Sequence, residues 1–159
     1  MTASPFTCLS HSAEETAEFA RRIGARLESG DTILLTGPVG AGKSHFCRSL
    51  IQSRLSEPED VPSPTFTLVQ MYDTTKDQIW HADLYRLTGT DEIEELGLFD
   101  AFEQAICLVE WPDRLGGTAP PDALALTLSA SPEDENHRTL EFTWSAPKWA
   151  AKLDGVAHG

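Results

Sequence analysis

Residues Gly37-Pro38-Val39-Gly40-Ala41-Gly42-Lys43-Ser44 keep the spacing G-x-x-x-x-G-K-[ST], and no other stretch of the chain narrows the choice of folds as far. Glycines let a backbone turn so that consecutive N–H groups point inward at phosphate oxygens. A helix opening near Gly42 adds its positive N-terminal end. In such a P-loop Lys43 meets the β- and γ-phosphates as a point charge, and the Ser44 hydroxyl ligates Mg²⁺. The expected phosphate cradle is Gly37, Val39, Gly40, Ala41, Gly42, Lys43, Ser44 and His45. What separates it from a chance Gly-rich turn is its context. It follows the apolar, β-branched run Thr32-Ile33-Leu34-Leu35-Thr36, which suits a strand buried on both faces, and it opens an amphipathic helix carrying Phe46, Cys47, Leu50, Ile51 and Leu55.

The remaining elements fit an α/β domain. Phe6 to Leu9 reads as a short strand. Ser12 with Glu15 forms a capping box that opens a helix carrying Phe19, Ala20, Ile23 and Leu27, with Gly30 as its stop. Ser56 to Pro64 is a Pro-rich loop, and Phe66–Tyr72 with Ile79–Asp83 reads as an antiparallel hairpin. Asp91 to Leu96 is a short helix with Thr90 as N-cap and Gly97 as stop. Ala105 to Val109 is another buried strand, and Ala123–Ser129 with Arg138–Trp144 a closing pair. The expected fold is a three-layer P-loop NTPase-type domain: a mostly parallel central sheet, an antiparallel hairpin and antiparallel C-terminal edge strands. One domain is expected over residues 1–146, followed by a small-residue tail over 147–159.

Charge limits the partners. Twelve Lys and Arg against 25 Asp and Glu leave a net charge of −13. A nucleic-acid grip needs a basic surface that displaces counterions, so no strong direct binding to nucleic acid is expected, nor to anionic membranes. Cys8, Cys47 and Cys107 sit in apolar runs with no zinc or redox spacing, as core thiols do. Met1-Thr2-Ala3-Ser4-Pro5 has no signal-peptide character. No apolar run approaches the ~18 residues of a membrane span. The expectation is a soluble, cytoplasmic protein.

A P-loop site usually needs a second carboxylate at the end of a neighbouring strand, to hold the metal or its water. Two residues compete for that role: Glu110, closing Ala105–Val109, and Asp83, closing Ile79–Asp83. Either could instead be an ordinary loop acid. Thr65 lies on the Pro-stiffened loop Ser63-Pro64-Thr65-Phe66. Its hydroxyl could sense a γ-phosphate as a switch loop does, although the residues themselves read first as a strand-start Thr. His81 has no metal-ligand spacing with the other histidines, and Trp111 either stacks on a base or closes the core. No N-K-x-D guanine reader is present, and after Arg54 only Arg86, Arg114 and Arg138 remain, too sparse for a phosphoryl-transfer clamp. A small-molecule P-loop kinase and a nucleotide-gated interaction module without useful turnover stay as alternatives to an ATPase.

Four blocks together resemble one family. Gly37–Ser44, Ser63-Pro64-Thr65-Phe66-Thr67-Leu68-Val69, His81-Ala82-Asp83-Leu84-Tyr85-Arg86 and Val109-Glu110-Trp111-Pro112 are similar in order and spacing to the TsaE (YjeE) family. The resemblance implies a Mg²⁺-dependent P-loop ATPase needed for N6-threonylcarbamoyladenosine synthesis on tRNA, acting with TsaD and TsaB. It implies that Lys43 and Ser44 bind ATP and Mg²⁺, that Thr65 belongs to a switch-like loop, that Asp83 serves hydrolysis, that Glu110 approaches the metal and that Trp111 lies beside the nucleotide. Pro38-Val39 stands where the family commonly has Asp-Leu, and Ser44 where it commonly has Thr. Both keep the generic motif, but Pro38 lacks an N–H to offer a phosphate.

Overall fold

β2 (Thr32–Thr36) runs into the P-loop and α2 (Lys43–Arg54) leaves it, so the strand–loop–helix unit lies at the centre of the molecule. The structure is a computed structural model that describes residues 4–158 except Val39, Pro58, Ser63, residues 65–67 and Thr88. Among these, seven strands form one sheet in the order β1-β7-β6-β2-β5-β4-β3. The strands are β1 (Phe6–Ser10), β2, β3 (Val69–Asp73), β4 (Gln78–Asp83), β5 (Ile106–Glu110), β6 (Leu124–Ala130) and β7 (Arg138–Thr143). β6, β2, β5 and β4 are mutually parallel. The β3–β4 hairpin is antiparallel at one edge. The β6–β7 pair is antiparallel as expected, but β1 rather than the C-terminal pair takes the far edge.

Strand alternation divides the core into two layers. On β5, Ile106 and Leu108 join Phe46, Leu50 and Ile51 of α2, under α1 (Ala13–Gly24) and α5 (Lys148–His158). Cys107 and Val109 face the other way, onto α3 (Thr90–Leu96), α4 (Leu98–Gln104) and the 3₁₀ segment Pro112–Thr118. The same period places His81, Asp83 and Glu110 in phase with Ile79, Ile106 and Leu108, on the α2 side. Among the described residues no helix is long and apolar enough to cross a membrane.

Several expectations shift. The Ser12 hydroxyl accepts from the Glu15 N–H as the capping box requires, yet α1 ends at Gly24, well before Gly30. A side chain at Gly24 would meet Leu50 at 2.9 Å, so glycine is what lets α1 and α2 cross closely. Gly89, not Thr90, precedes α3. Gly97 does stop α3, at φ 82°, but a further helix, α4, starts directly behind it. The hairpin residues 65–67 lie outside the described residues.

The stretch read as a tail is α5. Trp149 is fully buried and its indole N–H donates to the Asp122 carbonyl at 2.7 Å. Lys148 and Lys152 of α5 close on Asp31, just before β2, with Lys148 Nζ 2.8 Å from Oδ1. The Glu28 N–H donates to the same carboxylate at 2.9 Å. Burial pushes the Asp31 carboxyl up, but the bonds from Lys148, Lys152 and Glu28 outweigh it and leave it below its ordinary 3.8. A lowered folded value means stability that is present above the unfolded range and lost as pH falls through the folded one. Asp31→Asn should therefore cost about 1.5–3 kcal/mol near neutrality. Melting curves at neutral and acid pH should show the gap between variant and wild type closing in acid; a gap independent of pH would mean the pairing carries no stability.

Candidate functional site

The P-loop is held from three sides. At Gly37 a Cβ would stand 2.5 Å from the Leu128 carbonyl oxygen, so β6 allows only glycine there. Gly42 opens α2 at φ +105°, a left-handed conformation that L side chains rarely adopt. Arg138 of β7 reaches 3.2 Å to the Ala41 carbonyl and 3.4 Å to the Gly40 carbonyl, bracing the loop from behind. Sequence reading missed Arg138, because the contact crosses most of the chain.

In front of the loop lies a cavity of about 390 Å³ lined by Pro38, Gly40, Gly42, Lys43, Ser44, His45, Asp83, Tyr85, Glu110 and Trp111. Every described residue expected at the site lines this cavity except Gly37 and Ala41. Val39 and Thr65 lie outside the described residues. The Ser44 hydroxyl stands 3.0 and 3.3 Å from the two oxygens of Glu110. Asp83 is in register with Glu110 on the adjacent parallel strand, and its Oδ1 accepts the Tyr85 N–H at 3.1 Å. Both candidate carboxylates therefore share one cavity, and Glu110 is the one at Ser44. His45 Nε2 bonds instead to the Ala13 carbonyl at 2.8 Å, so its side chain is turned to α1.

Lys43 is buried; its Nζ donates to the Gly37 carbonyl and lies 3.7 Å from the Trp111 ring centroid. Trp111 holds this position in a left-handed conformation, φ 58°, unusual for a bulky residue, and Tyr85 packs on it at 4.9 Å between centroids. Burial lowers the Lys43 pKa, opposed by Glu110, Asp83 and Asp113. Burial raises that of Asp83, reinforced by Glu110 and opposed by the Tyr85 N–H, His81 and Lys43. His81 has no site role on spacing alone. In the fold its Nε2 sits 2.7 Å from Glu110 Oε2, with both residues buried. Only the β4–β5 pairing reveals that contact.

The family model for "Threonylcarbamoyl adenosine biosynthesis protein TsaE" matches residues 10–140. The chain belongs to the TsaE family. Curated relatives carry the name tRNA threonylcarbamoyladenosine biosynthesis protein TsaE. That of Rickettsia felis is 35% identical over 153 residues, covering 89% of this chain and 88% of the relative. That of Bacillus subtilis is 35% identical over 131 residues, covering 82% and 80%. The crystal structure of Bacillus subtilis YdiB superposes with a TM-score of 0.79 at 24% identity, over 99% of this chain and 97% of that one. This last likeness carries the α/β fold and its mixed seven-stranded sheet.

Proposed function

We propose that this TsaE-family chain binds Mg²⁺·ATP in the P-loop cavity and hydrolyses it slowly, in support of N6-threonylcarbamoyladenosine formation on tRNA together with TsaD and TsaB. The observation that carries the reading is the meeting of Ser44 with the Glu110 carboxylate beside Lys43 at a helix N-terminus. Hydroxyl and carboxylate are hard oxygen donors, the set magnesium takes alongside its waters and phosphates. Ser44 and Glu110 would hold magnesium, whose positive charge would offset the negative charge of the phosphates.

The chain's own residues supply the rest. P-loop amides and the α2 N-terminus orient the phosphates. Lys43 exchanges the Gly37 carbonyl for phosphate oxygens. Trp111 and Tyr85, packed on each other, line the cavity as an apolar wall. Asp83, whose burial raises its pKa and makes it a better proton acceptor than an exposed aspartate, orients the attacking water. Thr65 contributes a switch-loop hydroxyl in this reading.

Lys43→Ala should remove most affinity for Mg²⁺·ATP, since no other side chain of the loop is basic. Calorimetry decides it: unchanged affinity would sink the phosphate site. Turnover should rise when TsaD and TsaB are added, and the net charge of −13 should make that gain fall with salt. Equal rates alone and in the mixture would make this chain a self-sufficient ATPase.

A further inference from the structure

Behind Glu110 three side chains of metal-ligating type converge. Cys47 of α2, His81 of β4 and Glu110 of β5 offer ligand atoms that all lie within 4.8 Å of one another, and all three residues are buried. Chain periods bring them there. Cys47 follows Ser44 by three residues and so shares its helix face. His81 and Glu110 stand on the α2 side of adjacent parallel strands. The phosphate reading leaves two of the three unused. Cys47 is a free thiol, and His81 turns Nε2 toward Glu110.

We propose that Cys47, His81 and Glu110 form a binding site for a thiophilic divalent cation, zinc above all, which competes with magnesium for Glu110. Thiolate, imidazole and carboxylate are the donors zinc takes, at about 2.3, 2.0–2.1 and 2.0–2.2 Å. Magnesium holds to oxygen ligands and has no use for the first two. Tetrahedral bonds of those lengths set ligand atoms roughly 3.3–3.6 Å apart. The 2.7 Å His81–Glu110 contact must therefore open slightly and the Cys47 sulfur draw in, shifts within reach of side-chain rotation. Of the three, Glu110 lines the cavity, and a water on that side would complete the shell. On binding, the Cys47 thiol releases its proton to solvent and the coordinating imidazole nitrogen is unprotonated. Glu110 drawn to zinc leaves Ser44, and the grip on Mg²⁺·ATP weakens. That consequence rests on the function proposed above; the ligand set does not.

Cobalt is the probe. Untagged full-length protein titrated with Co²⁺ in the absence of nucleotide should develop a near-ultraviolet sulfur-to-cobalt charge-transfer band, saturating at one equivalent and erased by one equivalent of zinc. Cys47→Ser and Cys47→Ala should both lose the band, although Cys8 and Cys107 remain. In competition with a chromophoric chelator, zinc affinity should fall at least tenfold in Cys47→Ser, since even outer-shell partners carry about 10–100-fold. Glu110→Gln, which keeps the thiol, should retain the band at weaker affinity, so the test survives a misfolded cysteine variant. Absence of the band in the wild type, or its persistence without Cys47, overturns the site. A Cys47-dependent band that saturating Mg²⁺·ATP leaves untouched overturns the competition and points back at the role given to Glu110.

Discussion

Glu110→Gln should turn over Mg²⁺·ATP about 10²–10³-fold more slowly than the wild type, the usual cost of losing one preorganised electrostatic group. Glutamine keeps the shape and leaves an oxygen to accept from the Ser44 hydroxyl, so the fold should persist. What disappears is the negative charge that Ser44 and His81 both address, at 3.0 and 2.7 Å. Single-turnover rates across a magnesium titration separate the outcomes. A normal rate with normal metal dependence would leave Glu110 a structural acid and pass its role to Asp83. Slow turnover with a shifted magnesium requirement is the expected pattern.

Trp149→Ala should destabilise the protein by about 3–5 kcal/mol, the range for emptying a large buried aromatic site. For a chain of this size that is a fall in melting temperature of roughly 6–20 °C. Total stability is typically only about 5–15 kcal/mol, so deleting α5 altogether should leave much of the population unfolded at moderate temperature. Trp149 fills space against the same cluster that holds Phe46 and Phe142, and its N–H satisfies the Asp122 carbonyl. Chemical denaturation reads the change directly. Wild-type stability in the variant would mean that α5, although beyond the region matched by the family model, folds independently of the core.

Features whose physics is local were legible in the sequence. The P-loop, its strand and its helix announce themselves within a short stretch of chain, and so does the Ser12 cap. The C-terminal helix was also written in the chain: Trp149, Leu153 and Val156 fall on one helical face, and all three are buried. The intervening small residues and the preceding Pro147 masked that stripe. α4 was hidden by Gly97, which ends one helix and begins the next in the same left-handed conformation. His81 and Arg138 belong to another class. The site contact of each is long-range: one depends on the β4–β5 register and the other on β7 lying behind the loop. No spacing rule within a single segment encodes such contacts.

Arg54 closes α2 with a fork whose Nη2 spans both oxygens of Asp77 in the β3–β4 turn, at 2.9 and 2.8 Å. Its Nη1 reaches the Gly24 and Leu27 carbonyls at 2.8 and 3.0 Å. Earlier on the same helix, Arg48 Nε holds the Val61 carbonyl at 3.1 Å. The chain between Arg54 and Val61 thus joins two points that are already fixed. Lengthening such a bridge costs only about 0.6 kcal/mol for each doubling. That interval is where an affinity handle or a fluorescent reporter can be spliced into the chain, because the P-loop helix and the hairpin carrying His81 and Asp83 are moored to each other without it.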